Sequence, residues 1–130
     1  MKFNKILLAI FIFSVVLSCS NSDSDENNKE KEEVYILQLK NEIEKMAASS
    51  ICNEEFECKY VAFGSKPCGG PWSYLLYNTS IDETYFLKKV TELNTKEKEY
   101  NVLYGIISDC STPAPPSTVE CINGVCTALY

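Results

Sequence analysis

Seven cysteines stand in a chain of 130 residues that contains neither histidine nor arginine. Sulfur is therefore the chemistry this sequence offers. Without histidine it lacks the commonest general base and the commonest metal ligand. Without arginine it cannot build bidentate clamps on phosphate or carboxylate. Six of the cysteines, Cys52, Cys58, Cys68, Cys110, Cys121 and Cys126, are scattered over the C-terminal two-thirds. None is spaced as C-x-x-C, the pattern that zinc sites and thioredoxin-type redox sites use, so no metal and no cofactor is expected. An even number in a short domain reads instead as three disulfides, with fifteen conceivable pairings. Cys121 and Cys126 flank Ile122-Asn123-Gly124-Val125, and Asn-Gly is the preferred pair for a two-residue type I′ turn. The two cysteines then face one another at a non-hydrogen-bonded position, where side chains approach most closely. This makes Cys121–Cys126 the preferred single pairing, with Cys110 bonding back to one of the first three.

Carboxylates are the remaining candidates for catalysis. Glu54, Glu55 and Glu57 crowd the first cysteines and Asp109 precedes Cys110. No spacing marks a general acid and base among them. With no histidine there is no nucleophile–base arrangement to orient. The expectation is a protein that is not an enzyme, with no catalytic residues.

The second feature is a shaped loop. Residues 63–77 read FGSKPCGGPWSYLLY and hold five of the ten Gly and Pro residues, together with the only Trp. Glycine permits, and proline fixes, backbone angles that other residues resist. Ser65, Lys66, Pro67, Gly69, Gly70 and Trp72 form a candidate binding loop around Cys68. The aromatics Tyr60, Phe63, Trp72, Tyr74 and Tyr77 could supply a contact patch for a protein or glycan, although core packing explains most of them more simply. An alternative is a protease inhibitor presenting a disulfide-stiffened loop at Lys66–Cys68; Pro67 after Lys66 argues against a trypsin-like register.

The elements that must carry these residues are legible in the periodicity. Ile36, Leu39, Ile43, Met46 and Ala47 recur at helical spacing within residues 34–50. Residues 59–64 and 72–77 read as two strands of an antiparallel hairpin with the loop between them. Ser80 and Glu83 have the spacing of a capping box. A helix is expected to follow to about Tyr100, with Phe86, Val90, Leu93 and Tyr100 on one side and fraying near Asn94-Thr95. Asn78-Thr79-Ser80 matches a glycosylation sequon. Pro113, Pro115 and Pro116 form a stiff link, and residues 119–122 and 125–130 a final hairpin. The fold class expected is α+β, a small antiparallel sheet with two helices, stabilised by disulfides.

The N-terminus carries Lys2 and Lys5, then an apolar run over residues 6–17 interrupted by Ser14, about a dozen residues and short for a membrane span. Val16-Leu17-Ser18-Cys19 closes it and resembles the lipobox of bacterial lipoproteins. The resemblance implies cleavage before Cys19, lipidation of its thiol, and anchoring to a bacterial outer membrane or cell surface. Residues 1–18 are then the signal peptide and 19–33 a lipidated, acidic, disordered tether, since residues 20–33 hold no apolar side chain. Residues 34–130 form the cysteine-rich domain. With the signal removed, ten lysines face eighteen acids, a net charge of −8 that disfavours nucleic acid as a partner. The run FGSKPCGGPWSYLLY, then Ser108-Asp109-Cys110, a proline-rich link and CINGVC resembles, over most of residues 52–126, a group of small, exported, cysteine-rich bacterial proteins of unassigned function. That implies one disulfide-linked domain and no particular activity. The expected partners are a membrane, through the lipid, and a protein or glycan.

Overall fold

The computed structural model describes residues 22–130, with side chains from Asp25 onward. Cys19, the signal segment and the start of the tether lie outside the described residues. The order of elements is α1 (Ser22–Ala48), β1 (Cys58–Phe63), β2 (Ser73–Asn78), α2 (Glu83–Leu103), β3 (Thr118–Ile122) and β4 (Val125–Leu129). The fold is α+β, with three disulfides. No helix among the described residues is long and apolar enough to cross a membrane.

Helix α1 begins twelve residues before the start expected at Val34. Residues 22–33, expected as a flexible spacer, are helical. They contain no Gly or Pro, and Glu and Lys are good helix formers. Asp25 and Lys29 stand at the i,i+4 spacing that supports an exposed helix. The chain divides into two compact units with the boundary between Glu30 and Lys31. The first, as far as it is described, is this exposed helical stretch. The second, Lys31–Tyr130, carries the packed domain.

Its core joins three elements. Leu39, Ile43 and Ala47 from α1, Phe63 and Tyr77 from the β1–β2 hairpin, and Phe86, Val90 and Leu93 from α2 are all buried in one cluster, with Ile36 and Met46 at its edge. In the hairpin Lys59 pairs with Tyr77, Val61 with Leu75 and Phe63 with Ser73. Side chains alternate across a strand, so these six share the face turned to the helices. Fully burying a ring such as Phe86 contributes about 2–3 kcal/mol. The rings of Tyr77 and Phe86 meet at 4.7 Å between centroids. The Tyr77 hydroxyl donates to Glu83 Oε1 at 2.7 Å, and Lys59 Nζ reaches the same carboxylate at 3.0 Å. The hairpin is thereby fixed to the first turn of α2, where a carboxylate also suits the helix dipole. Since Glu83 is engaged there, the capping box is not formed. Asp82 caps α2 instead, accepting from the Tyr85 amide at 3.0 Å.

The two hairpins form separate two-stranded sheets rather than one. β3 lies nearest β1 and β4 nearest β2. Cys58 and Asn78 belong to the hairpin face turned away from the helices, and Cys58 bonds across to Cys126 of β4. Asn123 and Gly124 both have positive φ, 53° and 80°, as the type I′ turn demands. Asn78 has no exposed surface; its amide donates to the Phe56 carbonyl and accepts from the Ser80 N–H. In the folded domain the sequon is out of reach.

Candidate functional site

The 64–71 loop is held down by one side of α2. The stripe that is apolar at Phe86, Val90 and Leu93 continues as Asn94, Glu97 and Asn101, at steps of three and four. Asn94 accepts from the Gly64 N–H at 2.8 Å and donates to the Ala62 carbonyl at 3.0 Å. Glu97 accepts from the Ser65 N–H at 2.6 Å, and Asn101 donates to the Ser65 carbonyl at 2.7 Å. A polar ladder on a helix thus completes the hydrogen bonding of a loop that has no strand partner. Asn94 therefore binds the loop, Thr95 donates to the Thr91 carbonyl at 2.8 Å, and the helix continues where the sequence suggested fraying. Three- and four-residue spacing of Asn94, Glu97 and Asn101 was the available signal for this ladder.

Within the loop, Lys66 N–H donates to the Gly70 carbonyl and Gly69 N–H to the Lys66 carbonyl, both at 2.9 Å. Gly64 has φ +77°, and a Cβ there would lie 2.7 Å from Trp72 Cδ1 and 2.8 Å from Glu97 Oε2. Glycine is required by angle and by space alike. At Gly70 a Cβ would lie 2.6 Å from Thr112 Cγ2, so the loop also abuts the segment after Cys110.

Lys66 is the buried centre of this arrangement, only 7% exposed. Its ammonium pairs with Asp109, donates to the Ser111 carbonyl at 2.5 Å and lies 4.9 Å from the Trp72 ring centroid. The hydrogen bond from Lys66 holds the Asp109 carboxyl below its usual range, although Asp109 itself is exposed. A lysine turned inward in this way cannot enter a protease specificity pocket, so the inhibitor alternative loses the residue it depended on. Cys68–Cys110, with Cα atoms 5.3 Å apart, joins the same two segments covalently.

Outside this clamp a cleft of about 420 Å³ is left between the loop and the end of α2. Ser65, Lys66, Pro67, Gly69 and Gly70 form one wall. Lys98, Asn101, Val102 and Ile106 are on the other side. Five of the six candidate loop residues are thus brought together on one cavity. Trp72, the sixth, is 41% exposed and braces Lys66 rather than lining the cleft. Val102, unremarked in the sequence, is 78% exposed at its rim. Of the other aromatics Phe63 and Tyr77 are core, while Tyr60 and Tyr74 stack edge to face at 5.5 Å.

The remaining cysteines correct the preferred pairing. Cys121 and Cys126 do stand opposite one another in register, but Cys121 bonds to Cys52 and Cys126 to Cys58. Both project from the same face of the second hairpin, toward the segment that holds Cys52 and Cys58. Bonding across rather than within the hairpin closes loops of 69 and 68 residues. The first such closure is worth about 4 kcal/mol by loop entropy, roughly twice a loop of five or six residues, and the second, closing only the short ring through both bonds, is worth less. The sulfurs of Cys52, Cys58 and Cys126 all lie within 4.8 Å of one another.

No family model, no curated protein and no solved structure matches this chain.

Proposed function

We propose that this chain is a lipid-anchored envelope or cell-surface lipoprotein whose disulfide-braced domain binds a partner without catalysing a reaction. The observation that carries the binding reading is the cleft at the 64–71 loop. Its volume is within the range of ordinary ligand sites. Its loop wall is fixed beforehand by the α2 ladder, the Lys66–Asp109 pair and the Cys68–Cys110 bond. A wall already ordered loses little entropy on binding. Loop backbone with apolar Val102 and Ile106 suits an extended segment of protein or a glycan chain. No carboxylate lines the cleft among the described residues, which favours recognition over acid–base chemistry. The anchor rests on the Val16–Cys19 lipobox and on the length of the apolar run before it.

Two experiments test the parts separately. Labelled palmitate is expected on the wild-type chain and absent from Cys19→Ala; label retained by the variant removes the anchor. For the cleft, Val102→Asp alters an exposed rim residue. Envelope partners retained by immobilised wild-type domain should be lost with this variant at unchanged thermal stability. Equal retention by both would rule the cleft out as the binding surface.

A further inference from the structure

Two of the three disulfides share one place in the molecule. Cys52, Cys58 and Cys126 hold their sulfurs within 4.8 Å of one another. Cys52 is bonded to Cys121, which lies directly opposite Cys126 in the second hairpin. The burial of the four is graded. Cys52 is buried, Cys58 and Cys126 are half-buried, and Cys121 is exposed. Of these four, Cys121 is the one a thiolate arriving from solvent meets first; the separate Cys68–Cys110 bond is exposed at both residues.

We propose that these four cysteines form a thiol–disulfide exchange site that is entered at Cys121 by an external thiol and that rewires the domain to Cys52–Cys58 and Cys121–Cys126. The external thiolate attacks Cys121 Sγ, forming a mixed disulfide and expelling Cys52 as thiolate. Cys52 attacks the neighbouring Cys58 Sγ, and Cys126 leaves as thiolate. Cys126 then attacks Cys121 and returns the external thiolate. Each step makes one S–S bond and breaks one, so no electrons are gained or lost and the thiol acts as a catalyst. The products are sterically available. A non-hydrogen-bonded antiparallel pair such as Cys121 and Cys126 has Cα atoms about 4.5 Å apart, within the range a disulfide spans. Cys52 and Cys58 flank the turn closed by the Asn53–Phe56 bridge.

The exchange changes what the bonds connect. In the starting arrangement both tie the second hairpin to the segment around β1. Afterwards both are local, and the second hairpin is held by non-covalent packing alone. Cys68–Cys110 is also open to an external thiol but lies outside the sulfur cluster, so it can only open and reclose, and it serves as an internal control.

The test treats the oxidised full chain, without denaturant, with a catalytic amount of reduced glutathione. The reaction is quenched in acid, alkylated, digested and mapped by mass. Peptides linked Cys52–Cys58 and Cys121–Cys126 should appear together, with glutathione trapped on Cys121 and Cys68–Cys110 unchanged. Glutathione on Cys121 with Cys58–Cys126 intact would overturn the proposal, as would original pairings retained throughout or new pairings that draw in Cys68 or Cys110. Cys121→Ser isolates the middle step by leaving a Cys52 thiol beside Cys58–Cys126. Alkylation should then divide between Cys52 and Cys126. Label confined to Cys52, in protein that keeps Cys68–Cys110, overturns the exchange.

Discussion

Asn94→Ala is the sharpest test of the way α2 holds the loop. The side chain makes two hydrogen bonds to backbone, one from the Gly64 N–H at 2.8 Å and one to the Ala62 carbonyl at 3.0 Å. Both backbone groups belong to half-buried residues at the end of β1, the Ala62 carbonyl on the edge turned away from β2 and the Gly64 N–H just beyond the paired residues. Each bond contributes about 1 kcal/mol net, and each group left without a partner costs about 1–3 kcal/mol. Half-burial admits some water and puts the sum toward the low end, about 2–3 kcal/mol. For a domain of about 100 residues that corresponds to a fall in Tm of roughly 8–20 °C. Urea unfolding of the fully oxidised variant should show a lower midpoint at an unchanged slope. The Gly64 amide should also exchange its hydrogen faster than in wild type. A loss below about 0.5 kcal/mol, the usual range for an indifferent surface change, would refute the ladder as the support of the loop.

Three other outcomes are expected. Gly64→Ala should cost about 1–3 kcal/mol, because positive φ and the contacts with Trp72 and Glu97 act together, whereas Gly69→Ala meets open space and costs about 1 kcal/mol; paired denaturation curves measure the gap. Asp109 has a depressed pKa in the folded state, so its stabilisation is complete above the usual aspartate value of about 3.9 and is lost as pH falls through the lower folded value. Asp109→Asn should therefore make the acid limb of stability against pH shallower, read as urea midpoints from neutral to acid pH. Replacing Cys68 and Cys110 together by serine opens a 42-residue loop and should cost about 4 kcal/mol, while the cleft-lining residues lose their fixed positions in hydrogen-exchange measurements.

Much of this fold could be read from local pattern. The apolar stripes of α1 and α2 announce themselves because a helix repeats every 3.6 residues. Asn123-Gly124 sets both the turn and the register that places Cys121 opposite Cys126. The loop residues Ser65 to Gly70 were marked by glycine and proline alone, and they do line a cleft. What could not be read was everything that depends on elements distant in sequence. Cys121 and Cys126 look like partners until the second hairpin is laid on the first, and the sulfurs then find nearer mates. Lys66 looks like an exposed loop lysine until residues 109–111 arrive to surround its ammonium. Residues 22–33 have no apolar side chain to indicate packing, yet helix propensity carries α1 through them. Glu83 has capping-box spacing but is claimed by Tyr77 and Lys59, and Asp82 takes the cap.

The placement of the bonds also has a bearing on biogenesis. Cys52 and Cys58 reach their partners Cys121 and Cys126 only when the second hairpin has followed α2. A nascent polypeptide emerging N-terminus first can build α1, the first hairpin and α2 and close Cys68–Cys110, yet the two bonds that tie the second hairpin down must await that hairpin. Truncation ahead of Cys121 would therefore leave both Cys52 and Cys58 without these partners, and a quality-control protease would meet an open molecule rather than a slightly shortened one.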